Sequence, residues 1–293
     1  MKAKKIILGL CLLLPLAAGA APVLVETDWV AKRLDDPKLV LVDMSDPPQY
    51  ARFHLPGAVE LPQHKLLKMR KRDRIPVRLD DQAFYRLLGG LGISADSHVV
   101  IYDDMGGLNA GRLFWLLERA GHARVSVMNG GLVKWVLEGR PVTDAPVRRK
   151  PATYRPAGKG RDNEASLEDV LQASKAGSPL LLDVRSAQEY AGSPKMPRTG
   201  HIPGARWWSW QRGVDFNRRF TRRPAQALLK DLAAVGAGDK DKPLITYCQS
   251  GHRASQAYLT LRSLGYERVK VYSNSMNEYA KRRDAPLKTG LKP

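Results

Sequence analysis

Cys248 stands in the run Tyr247-Cys248-Gln249-Ser250-Gly251-His252-Arg253-Ala254-Ser255, where a thiol, a glycine and a fixed cation fall within six residues. A free thiol ionises near pH 8.5, and a helix N-terminus or a neighbouring guanidinium favours the thiolate, which is the nucleophilic form. The apolar stretch 244–247 precedes the cysteine and an amphipathic stretch follows from 254. A buried strand therefore delivers Cys248 to a short loop ahead of a helix, the place where open α/β sheets bind ligands. Backbone N–H groups of such a loop favour an anion or a thiolate at one spot. Arg253 follows at Cys-x4-Arg spacing, one position closer than in the Cys-x5-Arg loop of cysteine phosphatases. The shorter loop suits a single sulfur carried on the cysteine better than a phosphoryl group with its three oxygens.

The elements that position this loop occur twice. The run Leu39–Asp43, then Tyr50, then His54-Leu55-Pro56-Gly57-Ala58 is matched by Leu180–Asp183, Tyr190 and His201-Ile202-Pro203-Gly204-Ala205. Further on, 99–103 parallels 244–248 and 117–125 parallels 261–269, all in the same order and roughly 140 to 147 residues apart. This is a tandem duplication of a domain of ordinary size. In the second copy the pattern predicts helices over 167–175, 225–235 and 254–264 and strands over 180–184, 244–247 and 269–272. The strand runs are apolar throughout, as befits parallel strands buried on both faces. The expected fold is thus α/β, two tandem domains each with a mostly parallel sheet flanked by helices on both faces. The expected boundaries are 1–20, 23–142, 143–162 and 163–293, with 143–162, rich in Pro, Gly and basic residues, read as an exposed linker.

Of the chain's 293 residues only two are cysteines, too few for a disulfide scaffold or a four-thiolate metal site, and none of the chemistry above calls for a metal or cofactor. With 43% hydrophobic and 26% charged residues the chain is globular rather than disordered. Residues 1–20 read as a secretory signal peptide: Lys2, Lys4 and Lys5, an apolar run over 6–16, and Ala18-Gly19-Ala20 before Ala21. That run is short of the roughly 20 residues a membrane span needs, so the expectation is a periplasmic protein with no integral span. Cys11 leaves with the peptide. Cys248 is then a single thiol in an oxidising compartment, with no intramolecular partner.

The loop around Cys248, the Asp183-Val184-Arg185 triplet, Glu189-Tyr190 and Gly200-His201-Ile202-Pro203-Gly204-Ala205 together resemble the rhodanese sulfurtransferases, in their tandem-domain form with a degenerate first copy. The resemblance covers nearly all of residues 23–290. It implies a ping-pong reaction in which Cys248 takes sulfur from a small anionic donor, holds it as a persulfide and passes it to a thiophilic acceptor such as cyanide. It also implies that Arg185 faces the pocket and binds the donor together with the loop residues Gln249, Ser250, Gly251, His252 and Arg253. Thiosulfate-preferring members carry Arg-Lys after the cysteine and mercaptopyruvate members Gly-Ser; Gln249-Ser250 matches neither, which leaves thiosulfate and 3-mercaptopyruvate both open. The family's Gly-Ser-Trp segment is replaced by Ser273-Asn274-Ser275-Met276, read as a matter of local packing. A reading of a different class, a sulfur- or anion-binding or redox-sensing module, remains.

In the first copy Asp103 takes the cysteine position, so that copy is expected to be silent and to cover one side of the pocket. Asp43, Asp183, His54 and His201 recur in both copies, including the silent one, and are read as structural. Arg185 has an alternative as ion-pair partner of Asp183 or Glu189. Trp207, Trp208 and Trp210 are assigned to core or interface. Two basic runs, 64–78 and 212–223, carry no nucleic-acid motif and are read as a solvated cationic face with no nucleic-acid partner, the alternatives being attraction to anionic envelope surfaces or steering of anionic donors toward Cys248. Oligomeric state is not legible.

Overall fold

The computed structural model describes residues 21–293. The expected signal peptide, with Cys11, lies outside the described residues. The first domain is built on a parallel sheet in the order Leu24–Val25, Val125–Met128, His98–Tyr102, Leu39–Asp43, Val59–Glu60. The second repeats it as Val269–Val271, Leu244–Tyr247, Leu180–Asp183, Arg206–Trp207, again all parallel. The strand that opens the first domain is reduced in the second to a single bridge from Glu164 to Val271. The central strands Leu39–Asp43 and Leu244–Tyr247 are buried at every residue, the burial their uninterrupted apolar runs require.

Helix starts follow local chemistry. Ser166 and Ser186 each close a capping box, with Asp169 and Glu189 respectively, at the first turns of helices Leu167–Ala176 and Ala187–Ala191. The helix after the cysteine loop is His252–Ser263, beginning two residues earlier than the sequence pattern indicates because Gly251, at φ +80°, ends the loop there.

The two domains are joined by helices Ala110–Arg119 and His252–Ser263, which pack against each other so closely that a Cβ on Gly111 would come within 2.9 Å of the Gln256 Cα and the Ser255 carbonyl oxygen. One apolar core runs through this contact, from Val40 and Trp115 on one side to Trp208, Tyr258 and Val271 on the other. Trp208 is fully enclosed in it, Trp210 lies at its edge, and Trp207 donates its indole N–H to the Arg185 carbonyl.

Segment 143–162 has no helix or regular strand, yet it is more than an exposed linker. Tyr154 is buried against His122 and Tyr85, the Ala152 N–H bonds to Gly89 O, and Gly160 packs on the Arg119 carbonyl. Its glycines and small residues let the backbone lie directly on helix ends of the first domain. The basic runs also differ from a freely solvated face. Each contains an antiparallel ribbon, Leu67–Arg70 with Ile75–Arg78 and Val214–Asp215 with Thr221–Arg222. Arg70 reaches Glu278 across the domain boundary at 2.7 Å, and Arg78 reaches Glu164 at 2.9 Å. Among the described residues no helix is long and apolar enough to cross a membrane.

Candidate functional site

Cys248 sits at the carboxyl end of Leu244–Tyr247 with 1% of its surface exposed. Its Sγ accepts the Gly251 N–H at 3.1 Å, so the loop folds back over the sulfur. The Cys248 N–H donates to Ser275 Oγ at 3.0 Å, and that hydroxyl donates to the Tyr272 carbonyl at 2.7 Å. Backbone bonds from Met276 N–H to Cys248 O and from Asn277 N–H to Gln249 O bind the loop to the start of helix Ser275–Tyr279. The Gln249 side chain donates to Asn277 Oδ1 at 2.7 Å. Gly251 is required twice over: its φ is +80°, and a Cβ there would stand 2.3 Å from the Ser273 carbonyl oxygen and 2.8 Å from Arg112 Nη1. Among the described residues the N–H groups of Gln249, Ser250, His252, Arg253 and Ala254 meet no protein acceptor, which leaves a loop and helix start with unspent donors beside the sulfur.

The cations are held rather than loose. Arg253 forms a two-pronged pair with Glu189, at 2.7 and 2.8 Å, and Glu189 is itself fixed by the Ser186 capping box. Arg253 accordingly drives the Glu189 carboxyl down to about 2. Arg185 lies against the fully buried Asp183, Nη2 to Oδ2 2.5 Å, and donates a further bond to Gly200 O at 2.8 Å. Its ion-pair partner is therefore Asp183, while Glu189 serves Arg253. Arg185 and Gln249 nonetheless border one cavity of about 420 Å³, walled also by Gln188, Glu189, Met196 and Met276.

His252 is claimed by the first domain. Asn109 Nδ2 donates to Met44 O at 2.9 Å, which turns Oδ1 toward His252 Nε2 at 2.7 Å and makes that nitrogen the N–H donor. Burial, with the Arg112 and Arg253 charges behind it, pushes the imidazole down to about 4, so it stays neutral at ordinary pH. Of the expected site residues, Cys248, Gln249, Ser250, Gly251, His252 and Arg253 form one loop and helix start, with Arg185 on an adjoining wall.

Sequence reasoning missed Ser275, Asn277 and Asn109. Ser275 lies in the segment read as a packing matter, but its hydroxyl anchors the Cys248 backbone. Its φ of +51° is a conformation serine seldom adopts, and no local motif marks such a residue in advance. Asn109 belongs to the silent loop, so nothing in the second copy points to it.

In that silent loop the Asp103 carboxylate accepts four backbone N–H groups, from Met105 and Gly107 on Oδ1 and from Asn109 and Ala110 on Oδ2, at 2.8 to 3.0 Å. The conserved-looking pairs behave as structure in both copies. Tyr50 stacks on His54 and Tyr190 on His201 at 3.8 Å, and each histidine Nδ1 bonds to its tyrosine's carbonyl. Among the described residues no cluster of three or more His, Cys, Asp or Glu is arranged to hold a metal.

The model of the rhodanese-like domain matches this chain twice, at residues 26–138 and 166–282. The sulfur carrier protein TtuD of Thermus thermophilus is 35% identical over 284 residues, covering 92% of this chain and 97% of the relative. A thiosulfate sulfurtransferase of Pseudomonas aeruginosa is 34% identical over 275 residues, covering 91% and 97%. The crystal structure of SseA from Escherichia coli, a 3-mercaptopyruvate sulfotransferase of rhodanese fold, superposes with a TM-score of 0.75 at 27% identity, over 87% of this chain and 99% of that one.

Proposed function

The chain belongs to the rhodanese family, and on that premise we propose that it is a sulfurtransferase that draws sulfane sulfur from thiosulfate and carries it on Cys248. The observation that carries this reading is the enclosed thiol at a strand's carboxyl end, accepting a loop N–H and surrounded by loop donors that have no other acceptor among the described residues. In the first half-reaction the Cys248 thiolate attacks the outer sulfur of thiosulfate. A Cys–S bond to that sulfur forms, the sulfur–sulfur bond of thiosulfate breaks, and sulfite leaves with the electron pair. In the second, cyanide or a thiolate attacks the terminal sulfur of the persulfide, the sulfur–sulfur bond breaks, and Cys248 is returned as thiolate. No oxidant is consumed. The loop N–H groups hold the charge that builds on sulfur, and Arg185 and Arg253 draw the anionic donor in and steady the departing sulfite. His252, neutral and committed to Asn109, serves as a spacer, since persulfide transfer moves no proton that a base must take.

Relatives named thiosulfate sulfurtransferase favour thiosulfate as donor; the fold shared with SseA keeps 3-mercaptopyruvate as the second donor to test. The likeness to TtuD, a sulfur carrier protein, supports sulfur being held on the chain before it is passed on. The lysine-headed apolar N-terminus supports export to the periplasm with removal of residues 1–20, which N-terminal sequencing of the protein from a periplasmic extract checks.

The deciding experiment compares both donors, with cyanide as acceptor, on wild type and Cys248→Ser. Wild type is expected to turn over thiosulfate faster than 3-mercaptopyruvate, and the variant to lose at least about 10³-fold of that rate. After thiosulfate alone, whole-protein mass spectrometry is expected to find one added sulfur per chain. A folded wild type that uses neither donor overturns the enzymatic reading; equal rates in the variant overturn the assignment of Cys248.

A further inference from the structure

The first domain lacks the thiol, but one of its side chains reaches the thiol's loop. Arg112, in the first turn of helix Ala110–Arg119, is 1% exposed. Two other arginines are comparably buried, and both are matched with carboxylates: Arg185 with Asp183 and Arg262 with Glu118. Among the described residues Arg112 makes no such pair. Its Nε has no partner, Nη1 reaches only Ser255 Oγ at 3.5 Å, and the guanidinium lies 4.7 Å over the Trp115 ring. Leaving a guanidinium dry and unpaired is costly, and folds rarely keep one without use.

Its position indicates the use. Nη1 abuts Gly251, so closely that a Cβ there would be 2.8 Å away, and Gly251 is the residue whose N–H caps the Cys248 sulfur. Burial brings its pKa down to about 10, with the Arg78 charge adding a little, while charge interaction with Glu164 and then Cys248 works the other way. Arg112 remains cationic at neutral pH even so.

The repeat supplies an internal control. At the same place on the partner helix stands Gln256, whose Nε2 points back at the silent loop, to Gly106 O at 3.4 Å. The contact is reciprocal, each interface helix touching the other domain's loop. Where the loop carboxylate, Asp103, already accepts four N–H groups, the reaching residue is a neutral amide. Where the loop carries a sulfur with one N–H, it is a cation.

We propose that Arg112 of the first domain is a positioning residue of the Cys248 site, a fixed buried cation behind the Gly251 turn that holds the loop closed on the sulfur and offsets the negative charge of thiolate and persulfide. The proposal rests on the sulfurtransferase reading for its kinetic consequences. Its chemical consequence, the ease with which Cys248 ionises and reacts, is independent of turnover. The other charges that bear on this sulfur are Arg253, paired to Glu189, and beyond Arg112 the Glu164 carboxylate and Arg78; His252 is neutral.

The test is the pH profile of Cys248 alkylation by iodoacetamide in wild type, Arg112→Gln and Arg112→Lys, alongside thiosulfate kinetics. In Arg112→Gln the alkylation profile is expected to move about one pH unit upward, with Arg112→Lys within a few tenths of wild type. Its kcat is expected to fall about 10- to 100-fold while KM for thiosulfate changes less than about threefold. An unmoved profile in folded Arg112→Gln overturns the proposal. If that variant does not fold, wild type decides: a buried cation is poorly screened, so raising salt from about 0.02 to about 0.5 M is expected to shift the profile by less than about 0.2 units, and a shift above about 0.5 units assigns the effect to exposed charge instead. If wild type alkylates as expected but transfers no sulfur, the enzymatic reading has failed and the assignment of Arg112 has not.

Discussion

The two loops at the carboxyl ends of the matching strands solve one electrostatic problem in opposite ways. In the first, Asp103 places its own carboxylate among the loop's N–H groups and accepts four of them. In the second, Cys248 accepts one, from Gly251, and the neighbouring donors meet no acceptor among the described residues. The Asp103 loop is thus a cradle with a permanent occupant, and the Cys248 loop is the same cradle kept open. The contrast extends one strand over. Asp43 and Asp183 are both buried at the end of matching strands and each takes an N–H two residues on, from Ser45 and from Arg185. Only Asp183 also has the guanidinium; among the described residues Asp43 Oδ2 has no partner, and burial pushes that carboxyl up to about 6.

Swapping features between the copies tests this contrast. The largest effect is expected from Arg185→Ser, which installs the first copy's arrangement in the second. It strands the Asp183 carboxylate in the core and is expected to destabilise the protein by about 3 to 5 kcal/mol. Urea denaturation measures this, and a loss below about 1 kcal/mol would show that Asp183 tolerates isolation as Asp43 does. Next, Asp103→Ala orphans four donors, two of them buried, and is expected to remove about 3 kcal/mol, while kcat for thiosulfate, taken below the melting range, stays within about twofold. A tenfold fall in kcat would mean that the silent loop enters the reaction.

The smallest effect is a pH dependence. Because folding raises the Asp43 pKa from 3.8 to about 6, the folded state binds that proton more tightly than the unfolded chain. Its contribution is therefore full below about pH 4 and is lost as pH rises through about 6. Relative to Asp43→Asn, wild type is expected to lose up to about 3 kcal/mol between about pH 4 and about pH 7. Parallel stability curves for the two proteins would show that Asp43 ionises freely.

The sequence carried the duplication, the parallel sheets and the cysteine loop because each rests on local pattern: apolar runs, glycine turns, a thiol at a fixed spacing from an arginine. Arg185 as the partner of Asp183 was among the readings available from spacing two apart. The pairing of Arg253 with Glu189 was not, since 64 residues separate them and only the sheet order brings them together. Ser275, Asn109 and Arg112 were invisible for a related reason. Their roles depend on contact between elements distant in the chain, and the last two belong to a copy whose own loop carries no thiol. The linker's docking was missed because Pro, Gly and basic residues look alike whether a segment is free or laid along a helix end.

The helix contact at Gly111 has a consequence for how the molecule comes apart. Since one apolar core passes through it without a break, separating the domains would expose a large part of the core of each, leaving only one separate cluster covered in each domain. The two copies are expected to melt in a single transition, and a nick between 143 and 162 should leave the halves associated. Each copy, with its own sheet, is in this way held to the other as one folding unit.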